Sequence, residues 1–151
     1  ALPNAMAPPE VIPAGPNLAL YTPLKCFVLH ATSPLGCAVV RRFAVEGPMF
    51  MLTDLPHAKD ALEGLARAAA KQGASRCHMH VGDIYQWAGE QEITRTALST
   101  MGEVDVLVVV PPEEGRQGAT ARTAPRHTAV VRGLVEAFLP RMEKDRRGWV
   151  L

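Results

Sequence analysis

The apolar positions along the chain change period repeatedly, in an order that reads as strands alternating with helices. Regularity begins at Lys25. Cys26 to Leu29 is a continuous apolar run of strand length, and after a turn-like stretch Leu35, Ala38, Val39 and Phe43 share one helical face, with Arg41, Arg42 and Glu46 off it. Gly47-Pro48 ends that helix. Met49 to Thr53 is a second apolar run, closed by Asp54. A second helix, from about His57 to Gln72, turns Leu62, Leu65, Ala66 and Ala69 inward and is stopped by Gly73. Cys77 to Val81 is a third strand leading into Gly82-Asp83. The helix after it, Gln86 to Met101, faces inward with Ile93, Ala97, Leu98 and Met101 and ends at Gly102.

Val106 to Val110 is a fourth strand with no polar position, as expected of an interior strand in a parallel sheet covered by helices on both faces. Residues 111 to 124 form a polar loop. Val131, Leu134, Val135, Phe138 and Met142 then make an apolar stripe on a helix, His127 to Met142, that Pro140 should kink. Trp149, Val150 and Leu151 open a fifth strand. Strands alternating with helices, joined by right-handed crossovers, predict an α/β fold with a doubly wound, Rossmann-like parallel sheet in the order 3-2-1-4-5. Residues 25 to 151 form that domain. Residues 1 to 24 hold six of the thirteen prolines and no apolar period, which predicts an extended arm laid on something else.

A length of 151 residues suits one domain, and 48% hydrophobic with 21% charged residues is a globular composition. No apolar run approaches the roughly 20 residues of a membrane span, so a soluble chain is expected. A net charge of +1 gives no reason to expect nucleic acid or an anionic membrane as partner. The locally basic group Arg141, Lys144, Arg146 and Arg147 reads as a solvated helix end. Cys26, Cys37 and Cys77 are odd in number and have no metal-like spacing, which suits a reducing compartment. His78 and His80 share a strand face as two metal ligands would, but no third ligand accompanies them, so no metal is expected. The chain opens at Ala1, which leaves a removed targeting peptide and a start inside a longer product equally open.

The loop after the first strand, Leu29-His30-Ala31-Thr32-Ser33-Pro34-Leu35-Gly36, resembles the cofactor loop of the short-chain dehydrogenase/reductase family, whose pattern is T-G-x-x-x-G-x-G. Laid onto it, the family's threonine becomes Leu29, its first two glycines become His30 and Pro34, and the third survives as Gly36. The first glycine permits a tight turn, the second lets backbone approach phosphate, and the third lets helix and strand pack closely. The packing glycine is therefore kept and the two that serve the ligand are replaced. The resemblance implies three cofactor-binding positions: Gly36 in this loop, Asp54 on the ribose hydroxyls, favouring NAD, and Asp83 beside the adenine. Asp54 could equally serve the turn before Pro56, and Asp83 could cap the next helix.

The family signature D-x-L-V-N-N-A-G meets Asp105-Val106-Leu107-Val108-Val109-Val110-Pro111-Pro112, where the strand half matches and the loop half departs. The helix ending Leu139-Pro140-Arg141-Met142 matches the family's interface helix and puts His127 where the catalytic asparagine would stand. The family's serine and Tyr-x-x-x-Lys pair lie beyond the fifth strand and have no counterpart here, so no catalytic residue is assigned. Tyr21 to Lys25 spells the same string, but it precedes the first strand and contains Pro23, so it is a coincidence.

Three readings follow. The first is a non-catalytic, reductase-like accessory subunit of a larger protein complex, without cofactor, held through the arm 1–24 and the helix 127–142. General knowledge of such assemblies places it in a mitochondrion rather than the cytoplasm. The second is the N-terminal half of a split or truncated NAD(P)-dependent reductase. The third is a nucleotide-binding regulatory module that uses Asp54 and Asp83 with NAD. The first also expects a flank including Val130 and Leu139 to be left uncovered and to need a partner.

Overall fold

A computed structural model describes residues 22–111, 123–146 and 148–151. Nearly all of the expected arm and most of the polar loop after the fourth strand lie outside them. Five parallel strands, β1 (Lys25–Leu29), β2 (Met49–Asp54), β3 (Arg76–Val81), β4 (Val106–Val109) and β5 (Trp149–Val150), form one sheet in the order β3-β2-β1-β4-β5. Between them run α1 (Pro34–Ala44), α2 (Lys59–Gln72), α3 (Trp87–Met101) and α4 (Thr123–Asp145). This is the doubly wound order that the sequence predicts. β1 is its middle strand and β4 an interior one.

The unbroken apolar runs are explained by the two-sided core. Along β1, β2 and β4 the even positions Cys26, Val28, Phe50, Leu52, Val106 and Val108 pack with α1 and α2 residues such as Val40, Ala44, Leu62 and Leu65. The odd positions Phe27, Leu29, Met51 and Leu107 pack with Ile93, Ala97, Leu134 and Phe138 of α3 and α4. Side chains alternate across a strand, so burial on both faces keeps the strand interiors apolar, and on β2 the polar residues Thr53 and Asp54 come only at its carboxyl end. Asp105 pins the opposite end of the sheet: its carboxylate accepts the Lys25 amide at 2.9 Å and its own amide donates to the Lys25 carbonyl at 2.8 Å. That end joins β1 to β4 before either strand enters the core.

Helix faces differ from the sequence reading where an apolar side chain lies one position off the stripe. In α1 the buried residues are Gly36, Val40 and Ala44, spaced by four, while Leu35 is exposed and Val39 and Phe43 are only partly covered. In α3, Ile93, Ala97 and Met101 are buried at the same spacing and Leu98 is exposed. In α4 the row is Val130, Leu134, Phe138 and Met142, so Val130 belongs to the core and not to an uncovered flank, whereas Leu139 is exposed as expected. Leu62, Leu65, Ala66 and Ala69 of α2 are all buried, and Gly73 ends that helix at φ 127°. A short 3-10 turn, Pro56–Ala58, precedes α2. α4 starts four residues before the expected His127 and continues past Pro140 to Asp145.

Candidate functional site

In a doubly wound sheet, ligands bind outside the carboxyl ends of the strands where the strand order reverses, here between β1 and β4. The chain brings His30, Asp54, Tyr85 and His127 together there. His30 follows β1 with φ 55°, a left-handed conformation that costs little for glycine and more for a side-chain-bearing residue. The turn geometry that the first glycine would supply is therefore kept, and an imidazole is added. His30 as a whole is 7% exposed. Its Nε2 lies 2.6 Å from the Tyr85 hydroxyl and its Nδ1 3.6 Å from Asp54 Oδ1.

The loop between β1 and α1 is closed on itself. The buried Ser33 hydroxyl donates to the His30 carbonyl at 2.8 Å and accepts the Gly36 amide at 3.0 Å, so a helix N–H that an anion would use is capped from within. Pro34, in the first turn, has no N–H to offer. A Cβ at Gly36 would stand 2.5 Å from the His30 carbonyl oxygen and 2.7 Å from that of Ala31, which is why this position of the loop must stay glycine for packing.

Asp54, at the end of β2, is buried and turned into the protein. Its Oδ2 accepts the Thr32 amide at 2.9 Å and the Thr32 hydroxyl at 2.6 Å, and its Oδ1 accepts the Leu55 amide at 2.8 Å. Burial pushes its acidity toward higher pKa, but His30, Thr32 and the backbone donors outweigh that and hold it at about 2. It is a carboxylate that ties two loops together. Asp83 is exposed and accepts the Tyr85 amide at 3.1 Å, making a turn two residues long. It does not cap α3, whose N-cap is Gln86.

Tyr85 was not apparent in the sequence, where only its place just after Asp83 hinted at it. Burial first, then the Asp54 and Asp83 carboxylates, raise its phenol to about 12. His127 completes the group, its ring centroid 5.6 Å from that of His30 and 6.4 Å from that of Tyr85. Its Nδ1 is buried and makes no hydrogen bond. Burial, and then His30, lower its proton affinity below that of an ordinary histidine. Arg126 beside it donates from Nη1 to the Tyr85 carbonyl at 2.5 Å, fastening α4 to the loop before α3.

Elsewhere the candidate side chains are isolated. His80 is buried, with Nε2 3.8 Å from Glu92, while His78 is half-buried. Among the described residues no three His, Cys, Asp or Glu side chains are grouped so as to hold a metal. The three cysteines form no disulfide, and burial, followed by the nearby Asp105, raises Cys26 to about 12. No helix among the described residues is long and apolar enough to cross a membrane.

Solved structures superpose on this sheet and these helices. A metagenomic short-chain oxidoreductase in complex with NADP matches at TM-score 0.69 and 21% identity, over 84% of this chain and 59% of its own. The fold is that of the short-chain dehydrogenases and reductases. An alcohol dehydrogenase from Thermococcus sibiricus complexed with 5-hydroxy-NADP matches at 0.67 and 20% identity, over 85% and 57%. L-sorbose reductase from Gluconobacter frateurii, complexed with NADPH and L-sorbose, matches at 0.68 and 20%, over 85% and 51%. The chain thus spans between half and three-fifths of the length of these short-chain dehydrogenase structures. No family model and no curated protein sequence matches it.

Proposed function

We propose that this chain is a short-chain-dehydrogenase-like domain that binds no dinucleotide and acts through its surfaces, as a non-catalytic subunit. One observation carries the reading. The place where a dinucleotide would pass is taken by the His30 ring, held between Asp54 and the Tyr85 hydroxyl. The polar groups of the β1–α1 loop and of Asp54 are satisfied internally: Ser33 caps α1 and Asp54 accepts from Thr32 and Leu55. A ligand would have to break these bonds and desolvate their partners before gaining its own. The test is titration of the chain with NADH and NADPH, followed by nicotinamide fluorescence and calorimetry at neutral pH. No saturable binding up to about 1 mM is expected. Micromolar binding of either would overturn the reading.

A second reading is favoured by two of the neighbours, an oxidoreductase in complex with NADP and a reductase complexed with NADPH, both longer than this chain. Here the chain is the first half of a truncated or split reductase, and another segment supplies the serine and the Tyr-x-x-x-Lys pair. The same titration repeated on the longest natural form of the protein separates the two. Binding that appears only there supports the second reading.

A further inference from the structure

The pairing of two imidazoles in the crevice asks for an explanation that filling space does not supply. The His30 and His127 rings are inclined by only 23° at a centroid separation of 5.6 Å, so a proton on each would set two like charges side by side. Their surroundings are unequal. His30 faces the Asp54 carboxylate through Nδ1 and the Tyr85 hydroxyl through Nε2, so a charged His30 has its counter-ion in contact.

Among the described residues His127 has none so placed. From the end of β1 it meets His30, and from the loop before α3 it meets Tyr85. The carboxylates nearby are committed elsewhere: Asp54 to Thr32 and Leu55, and Asp83 to the Tyr85 amide. α3 presents Glu90 to α4 at Gly133, six residues past His127, or about 9 Å further along the helix. On α4 itself the neighbour is Arg126, a second cation, and the first turns of a helix carry positive potential. Each of these disfavours a charged His127.

We propose that the His30–His127 stack is a proton-operated latch that seats the first turns of α4 on the β1–α1 loop near neutral pH and releases them when His127 is protonated. The contacts at stake are local: the ring stack, the Tyr85–His127 packing and the Arg126 bond to the Tyr85 carbonyl. The rest of α4 is anchored separately by Leu134, Phe138 and Met142 in the core, so its first turns can loosen without unfolding the domain. The sign is fixed by the direction of the shift. His127 is lowered from 6.5 in the folded chain, so the seated form is fully favoured above that value and loses its advantage as pH falls through it toward the folded value. The latch does not depend on whether the crevice takes a dinucleotide.

Amide hydrogen exchange at residues 127 to 129, expressed as protection relative to the intrinsic rate at each pH, reads the latch without any ligand. Protection should drop several-fold between pH 7.5 and 5, in the direction that a lowered His127 sets, while residues 134 to 142 keep theirs. His127→Gln, uncharged at every pH, should abolish that dependence, and His127→Asn serves if the glutamine does not pack. His30→Gln should weaken it by removing the ring on which His127 stacks. Histidine ring NMR should show His127 titrating below the ordinary value. The proposal fails if the pH dependence persists in both His127 variants, if it spreads evenly over all of α4, or if His127 titrates normally. None of these outcomes bears on the nucleotide titration, so the two ideas stand or fall separately.

Discussion

Thr32 places both its amide and its hydroxyl on one oxygen of Asp54, at 2.9 and 2.6 Å, across 22 residues of sequence. The carboxylate that resembles a ribose-binding residue is thus spent on the loop that would have held the phosphates.

Asp54 should therefore matter to stability in acid. Its pKa is about 2 in the folded chain against 3.8 ordinarily, so it contributes stability above pH 3.8 that is lost as pH falls toward 2. The contribution is about 2 kcal/mol. Asp54→Asn should lower the urea midpoint at pH 7 and flatten the acid limb of the stability curve. An unchanged acid limb would mean that the carboxylate is not held as described.

The two glycines Gly36 and Gly64 should respond in opposite directions to alanine. At Gly36 the methyl would lie inside contact distance of two carbonyl oxygens, and a loss of more than about 3 kcal/mol or failure to fold is expected. At Gly64, in α2, nothing lies within 4 Å, so alanine should stabilise by about 0.5–1 kcal/mol. Thermal melts of the two variants decide it.

Tyr85 should ionise late. Its phenol is raised to about 12, so absorbance near the tyrosinate band should leave one hydroxyl untitrated at pH 10 to 11 in a Tyr21→Phe background. Because the unfolded chain gives up that proton first, stability should fall as pH rises from about 10 toward 12. Tyr85→Phe should remove this alkaline limb and cost about 1 kcal/mol at neutral pH through the lost bond to His30.

Restoring the two missing glycines should not restore the cofactor. His30→Gly with Pro34→Gly would recover affinity only if Asp54 pointed into the crevice, but its oxygens are already taken by Thr32 and Leu55. Calorimetry with NAD should show no gain. A rise to micromolar affinity would show that Asp54 turns outward readily.

Element order, topology and most of the core were legible in the sequence, because unbroken apolar runs such as Val106 to Val110 have few structural solutions and Gly73 and Gly102 mark helix ends. Side-chain direction was less so. Leu35 and Leu98 count as apolar in a periodic reading, yet the helix turns them to solvent while Gly36 and Ala97 face the sheet. Asp54 and Gly36 were found, but with roles that only the hydrogen bonds define. Tyr85 and Ser33 went unnoticed because their partners, His30 and the Gly36 amide, are joined to them by tertiary and capping geometry rather than by any pattern of types.

The bond between Thr32 and Asp54 also bears on the order in which the chain acquires its shape. It can form only after β1 and β2 have met in register, from Lys25 opposite Met49 to Leu29 opposite Thr53, since the two residues lie beyond and at the end of that pairing. Closing such a separation precedes the reward, so the contact belongs on the native side of the rate-limiting step. Thr32→Val should then accelerate unfolding and leave the refolding rate nearly untouched in a denaturant chevron, and a slowed refolding arm would instead place this loop in the nucleus.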